Sequence, residues 1–195
     1  MSDADAITRH LEGLAAVARE TSARLAGEIA GVAERTIQVL ERGGKLMFCG
    51  NGGSAADAQH LATEYVVRFA AERRALPAIA LTTDTSLLTA AANDYGFERV
   101  FARQVEALGR PGDLLFLHST SGRSANLLEA ARAARAGGVQ TIALLARDGG
   151  PLRDLVDRAI VVPTEDGAHA QELHLAIGHA ICHRVEAWLA RPAAS

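Results

Sequence analysis

Histidine, carboxylate and amide side chains recur at helical spacing in two distant parts of this 195-residue chain. His60 and Glu64 stand four residues apart, so on a helix they share one face and can reach the same ligand. A second group lies near the end of the chain: Gln171, Glu172, His174, His179 and His183. These side chains suit proton transfer, and imidazole, carboxylate and amide oxygen together suit a divalent metal such as zinc.

The spacing within the second group leaves two pairings open. Gln171 and His179 are eight residues apart, which places them on neighbouring faces, about 80° apart, at 3.6 residues per turn. His179 and His183 form the competing pair, four residues apart. Lys45, the only lysine, begins a predicted strand, which argues against Schiff-base chemistry and leaves Glu64 and a histidine for proton transfer.

Two loops of small residues each follow a predicted strand and open a predicted helix. Gly50-Asn51-Gly52-Gly53 can adopt positive φ and let a ligand approach the backbone closely. Ser54 and Asp57, three residues apart, predict a capping box at the start of the following helix. The second loop, residues 119–124, brings the hydroxyls of three serines and one threonine to a helix start.

Hydroxyls and free amides at a helix N-terminus bind phosphate without needing a lysine. The Walker ending Gly-Lys-Ser/Thr is absent, and so is the Gly-x-Gly-x-x-Gly pattern of dinucleotide sites. A sugar phosphate is therefore the expected ligand.

Alternating strands and helices predict the fold class. Two helices are expected over 6–41, with a mild break near Thr21-Ser22. The elements expected after them are strands 45–49, 77–81, 113–118, 139–145 and 158–162, and helices 54–69, 85–92, 97–107, 123–137, 150–155 and 167–190. Five buried strands with helical crossovers predict an α/β fold with a doubly wound parallel sheet, in which ligands bind at the carboxyl ends of the strands. Both small-residue loops lie at such ends.

The chain is expected to form one domain over 1–195, with an N-terminal helical pair (1–43) and an α/β core (44–190). The helical pair cannot bury all its apolar faces on so small a core, which favours packing against another subunit. A formal charge of −3 and 4% aromatic residues argue against direct nucleic-acid binding. An acidic N-terminus and the lack of a long apolar run predict a cytoplasmic protein with no membrane partner.

These residues resemble the phosphoheptose isomerases, or sedoheptulose 7-phosphate isomerases, of the sugar isomerase (SIS) domain group. The resemblance covers nearly the whole chain. Its carriers are the Gly50–Ser54 loop with His60 and Glu64, the segments 81–84, 93–97 and 103–109, the loop 119–122, and Gln171-Glu172 with His179. The set His60, Glu64, Gln171 and His179 is its most specific part.

The resemblance implies a flavodoxin-like strand order and a homotetramer with active sites at subunit interfaces. It implies one Zn²⁺ per subunit, held by His60, Glu64, Gln171 and His179. The phosphate would be bound by Ser54, Ser119, Thr120, Ser121 and Ser124. The remaining substrate contacts would come from Asn51, Gly52, Gly53, Glu64, Asn93, Asp94 and Gln171.

The implied reaction converts sedoheptulose 7-phosphate to D-glycero-D-manno-heptose 7-phosphate through an enediol. Glu64 would move the proton between carbons 1 and 2, and His179 would serve the oxygen or the opposite face. Zinc would polarise the carbonyl. The chain departs from the family pattern at His118, Arg123 and His169, which bears on substrate preference.

Two other functions within the SIS group are alternatives. One is a non-catalytic protein that binds a replication-initiation factor, and the other is a sugar-phosphate sensor without turnover. The presence of Gly53, Glu64 and His179 favours the enzyme over both.

Overall fold

The computed structural model describes residues 2–190 as a five-stranded parallel sheet with seven α-helices. The helices are α1 (Asp3–Glu41), α2 (Gly53–Val66), α3 (Thr85–Tyr95), α4 (Ala102–Leu108), α5 (Ala125–Ala136), α6 (Leu152–Leu155) and α7 (Gly167–Leu189). The strands are β1 (Leu46–Gly50), β2 (Ala78–Ala80), β3 (Leu114–His118), β4 (Gln140–Ala146) and β5 (Arg158–Val162).

The N-terminal region is one continuous helix of 39 residues, so the predicted helical pair is wrong. Thr21 and Ser22 were expected to interrupt it, but neither residue prevents a helical backbone. Thr21 is instead buried in the middle of α1, whose apolar residues continue at helical spacing on both sides and pack into the core beside α7. Tertiary packing therefore carries the helix through a weakly helical stretch.

The sheet has the strand order β2-β1-β3-β4-β5, and every neighbouring pair is parallel. This confirms the expected α/β fold and its flavodoxin-like order. After β1 the chain adds β2 on one side and then crosses to add β3 on the other. The strand order thus reverses between β1 and β3, which is where such sheets bind ligands.

Helices cover both faces of the sheet. One core contains side chains of α1, α2 and α7 together with alternate strand residues such as Phe48, Phe116 and Leu144. The opposite core contains side chains of α4 and α5 against Cys49, Leu117 and neighbouring strand positions. Strands buried on both sides explain why β1 and β3 are apolar runs rather than alternating patterns.

The helix predicted over 97–107 is divided into a 3-10 turn (Phe97–Arg99) and α4. Val100 and Phe101 lie between the two parts, and both are buried. Consecutive residues of a regular helix point about 100° apart, so a local change of path lets both enter the core. The remaining predicted elements are present, with their ends displaced by at most three residues. Within residues 2–190, no helix combines the length and apolarity that a membrane crossing requires.

Candidate active site

The two small-residue loops lie side by side at the carboxyl edge of the sheet. Gly50, the last residue of β1, is in register with His118, the last residue of β3. Residues 51–53 and 119–124 follow directly from these two strand ends. The loops therefore meet at the position where the strand order reverses.

The glycine loop turns tightly into α2. Gly52 has φ +55° and occupies the N-cap position, while a Cβ at Gly50 would lie 2.5 Å from the carbonyl oxygen of Ser54. The predicted capping box of Ser54 and Asp57 is wrong, because the helix begins one residue earlier without any side-chain cap. Ser54 is buried instead. Burial raises the pKa of Asp57, and one of its buried carboxylate oxygens has no hydrogen-bond partner in the described part of the chain.

Two asparagines join the glycine loop to the helix that follows the serine loop. Asn51 Nδ2 donates to Asn126 Oδ1 over 2.9 Å, and Asn126 Nδ2 donates to Asn51 Oδ1 over 2.8 Å. Asn126 is buried in the first turn of α5. Sequence reasoning included Asn51 but missed Asn126, because a lone asparagine near a helix start gives no sign of a distant partner.

The serine loop is held in shape by its own hydroxyls. Ser119 Oγ accepts from the Gly122 amide over 3.0 Å, and Ser121 Oγ accepts from the Arg123 amide over 3.3 Å. Gly122 has φ +62°, and the place of a Cβ there is occupied by the carbonyl of Gly149. Ser124 is the N-cap of α5, but its hydroxyl makes no capping hydrogen bond. The start of α5 can therefore present a hydroxyl and backbone amides to an anion.

His60, Glu64 and His179 come together from α2 and α7. The Nε2 atoms of the two imidazoles are 2.9 Å apart, and His60 Nε2 lies 3.3 Å from Glu64 Oε1. One ligand atom from each of the three residues lies within 4.8 Å of the others. Burial, followed by the adjacent His60 imidazole, lowers the pKa of His179 below its ordinary value. This group combines two imidazoles with a carboxylate, as a proton-transfer or metal site requires.

A close helix contact holds these two imidazoles at this distance. Gly178 packs against Leu61, so both contact residues are sequence neighbours of the histidines. A Cβ at Gly178 would lie 2.7 Å from Leu61 Cδ1, inside normal van der Waals contact. The small residue therefore allows α2 and α7 to approach closely enough for His60 and His179 to meet.

The segment after α2 is anchored to α7 by a buried carboxylate. Glu186 accepts hydrogen bonds from the amides of Phe69, Ala70 and Ala71 and from Arg73 Nε. Burial alone raises the pKa of Glu186, but these amides and the Arg73 charge outweigh it and hold the pKa below its usual value. Phe69, fixed in this way, lies with its ring centroid 5.2 Å from that of His179.

Gln171, Asn93 and Asp94 occupy other places in this chain. The Gln171 amide contacts Gly53 at the start of α2, about 10 Å along that helix from His60 at 1.5 Å per residue. Gln171 therefore lies beside the glycine loop rather than in the group of His60 and His179. Asn93 donates to Asp94 over 2.8 Å on the exposed end of α3.

Known proteins share both the sequence and the structure of this chain. The family model described as "SIS domain" matches residues 9–146. A phosphoheptose isomerase of Roseiflexus sp. is 53% identical over 189 residues, covering 95% of this chain and 96% of the relative. The phosphoheptose isomerase of Geobacter sulfurreducens is 53% identical over 182 residues, covering 93% and 96%.

The chain belongs to the phosphoheptose isomerase family of SIS-domain proteins. The solved phosphoheptose isomerase of Neisseria gonorrhoeae is 42% identical, with a TM-score of 0.91 over 95% of this chain and 100% of that chain. A solved phosphoheptose isomerase from Francisella tularensis is 38% identical, with a TM-score of 0.93 over 96% of this chain and 100% of that chain. The family and the enzyme class implied by the resemblance, an aldose–ketose isomerase acting on a sugar phosphate, are thereby confirmed.

Proposed function

We propose that this protein converts sedoheptulose 7-phosphate to D-glycero-D-manno-heptose 7-phosphate. The observation that carries the proposal is the meeting of His60, Glu64 and His179 within 4.8 Å. The relatives named above, which are phosphoheptose isomerases, support this choice of substrate. The fold alone would be weaker support for this choice of substrate, because function resides in the site rather than in the fold.

The substrate phosphate is proposed to bind at the serine loop and the start of α5. Ser124 leaves the helix uncapped, and Ser119 and Ser121 already shape the loop through backbone hydrogen bonds. An anion there would be stabilised by hydroxyls, amides and the positive end of the helix dipole. The sugar would then extend along the glycine loop, past Asn51 and Gln171. The remaining substrate contacts are proposed to come from Gly52, Gly53, Ser54, Thr120, Asn93 and Asp94.

The proposed chemistry is a proton transfer between adjacent carbons. Glu64 removes a proton from carbon 1 of the ketose, the C–H electrons form the carbon 1–carbon 2 double bond, and the carbonyl oxygen on carbon 2 is protonated. In the second half, the oxygen on carbon 1 loses its proton, the carbonyl forms there, and carbon 2 receives a proton from Glu64. His179, whose pKa is lowered chiefly by burial, can exchange the oxygen-bound protons.

The same side chains suit a bound zinc ion. Two imidazole nitrogens and a carboxylate oxygen form a catalytic type of donor set, with one position left for substrate. We propose one Zn²⁺ per subunit, held by His60, Glu64 and His179. Gln171, which the resemblance implies as a fourth ligand, lies beside the glycine loop of this chain instead. When bound, the ion would stabilise negative charge on the substrate oxygens.

A homotetramer with active sites at subunit interfaces is also part of the proposal. An apolar groove of about 380 Å³ lies between α1 and α7, lined by residues such as Ala18, Ile29, Leu173 and Ile177. Ile7 and Leu11 on α1 are 62% and 58% exposed. Exposed apolar surface of this kind favours association with further copies of the chain. The cytoplasmic location stays a prediction.

Turnover measurements with matched variants test the function. The purified protein, supplied with zinc and sedoheptulose 7-phosphate, should form the aldose. Glu64→Gln and His179→Ala should each reduce kcat by about 100-fold or more, since positioned acid/base groups contribute 10²–10⁴. Glu72→Gln and His183→Ala, which remove the same group types outside the cluster, should retain activity. Full activity of Glu64→Gln or His179→Ala would remove the assigned role.

A further inference from the structure

A second group of metal-ligand side chains lies where the start of α7 meets the first turns of α1. His10 of α1 and His169 and Glu172 of α7 each offer one ligand atom, and the three atoms lie within 4.8 Å of one another. The imidazole centroids are 4.6 Å apart, and His10 Nε2 is 3.7 Å from Glu172 Oε1. This cluster shares no residue with the group of His60, Glu64 and His179.

We propose that His10, His169 and Glu172 bind a transition-metal dication such as Zn²⁺, Co²⁺ or Ni²⁺. Two imidazoles and a carboxylate are donors that these cations accept, and tetrahedral bonds of 2.0–2.2 Å place ligands roughly 3.3–3.6 Å apart. The 3.7 Å separation of His10 and Glu172 is close to that spacing. Both side chains are 44% exposed, so solvent can complete the coordination sphere.

His169 is held ready for this role by contacts within the protein. Its side chain is buried, and its Nε2 lies 3.1 Å from the backbone carbonyl oxygen of His10. Because a carbonyl only accepts hydrogen bonds, Nε2 is the donor in this contact, which leaves Nδ1 as the ring nitrogen available to a metal. Metal-binding histidines commonly use their second ring nitrogen in this way, which fixes the ring and its tautomer.

Gly13 provides the space that the His169 ring occupies. A Cβ at Gly13 would lie 2.9 Å from His169 Cε1 and 3.7 and 3.8 Å from its two nitrogens. Glycine inside a helix costs about 1 kcal/mol relative to alanine. At Gly13 the missing Cβ allows α1 to contact the His169 imidazole closely, which offsets that cost. A metal bound here would link the exposed amino end of α1 to α7.

Metal counting in a background without the first cluster tests the proposal. The His60→Ala/His179→Ala protein is stripped with a chelator, incubated with Co²⁺ and passed through gel filtration. One Co²⁺ per chain should remain bound, as measured by mass spectrometry of the metal. Adding His10→Ala or Glu172→Gln should remove that equivalent. Adding Glu165→Gln, a carboxylate near the same end of α7 but outside the cluster, should leave it. Circular dichroism confirms that each variant is folded.

Two further measurements separate ligation from a structural role. Co²⁺ should raise the Tm of the background protein, because a ligand that binds only the folded state stabilises it, and should not raise that of the His10→Ala form. Gly13→Ala keeps all three ligands and introduces a better helix former. The added Cβ should nevertheless displace His169 and so weaken Co²⁺ binding about tenfold or more. The proposal would be overturned if the background protein retained the same amount of Co²⁺ after His10→Ala or Glu172→Gln was added. An unchanged affinity of the Gly13→Ala variant for Co²⁺ would also overturn it.

Discussion

Leu61 packs into the space that Gly178 leaves open, and this contact places His60 beside His179. Replacement of Gly178 by alanine should push α2 away from α7, since the added Cβ would lie 2.7 Å from Leu61 Cδ1. Overpacking of this kind costs about 1–3 kcal/mol. We expect lower kcat/KM and weaker zinc retention, measured by steady-state kinetics and metal analysis. The double variant with Leu61→Ala should regain part of both, and no regain would show that the contact does not set the imidazole distance.

The paired amides of Asn51 and Asn126 give a second prediction. Asn126→Ala removes both hydrogen bonds and leaves the glycine loop untied from α5. KM for the sugar phosphate should rise more than kcat falls, because the loop is proposed to bind rather than to react. A double-mutant cycle with Asn51→Ala should show a coupling free energy of about 0.5–3 kcal/mol. Additive effects would contradict the pairing.

The anchor formed by Glu186 predicts a loss of stability. Glu186→Gln should lower the free energy of unfolding by about 2–4 kcal/mol, because three amides and Arg73 lose their charged acceptor in a buried site. The matched variant Glu72→Gln, which removes an exposed partner of Arg68, should change it by less than about 1 kcal/mol. Urea unfolding at neutral pH measures both values. Similar losses in the two variants would contradict the anchor.

The pKa shift of Glu186 also fixes the sign of its pH dependence. Its folded-state pKa is below the ordinary value of 4.5, so its contribution is complete above that pH and is lost as pH falls through the lowered pKa. Wild type and Glu186→Gln should therefore converge in stability under acidic conditions.

Two buried histidines beneath the site predict acid sensitivity. Burial, followed by the neighbouring His174, lowers the pKa of His118 to about 3, and burial lowers that of His174 to about 4. Below pH 6.5 these two histidines bind protons in the unfolded chain but not in the folded chain, so the free energy of unfolding falls as pH drops towards 4. His118→Leu should flatten this fall by up to about 1.4 kcal/mol per pH unit. An unchanged slope in urea unfolding between pH 6.5 and 4.5 would contradict it.

Much of the fold was predictable because its signals are local. Apolar runs ending in glycine or serine loops identified β1, β3 and the helices after them. The continuity of α1 was missed, since it depends on burial of Thr21 against distant residues. The N-cap of α2 was misplaced by two residues, because Gly52, with its positive φ, takes that position in place of Ser54.

The candidate site was only partly accessible from the sequence for the same reason. His60 and Glu64 were recognisable as a pair on one helix, and the family resemblance brought in His179. Helical spacing alone could not choose His179 over His183, since that choice depends on the contact of Leu61 with Gly178. The roles of Asn126 and Glu186 depend on partners 75 and more than 100 residues away, which no local pattern reveals.

Solvent-deuterium incorporation tests the central claim most directly, because it follows the carbon-bound proton itself. In D₂O, NMR of the wild-type reaction should show deuterium at carbon 2 of the aldose product and, by reversal, at carbon 1 of the remaining ketose. Glu64→Gln should still bind the sugar phosphate but exchange neither position. If Glu64→Gln incorporates deuterium at the wild-type rate, then Glu64 is not the group that moves the proton, and the account given for this site is wrong.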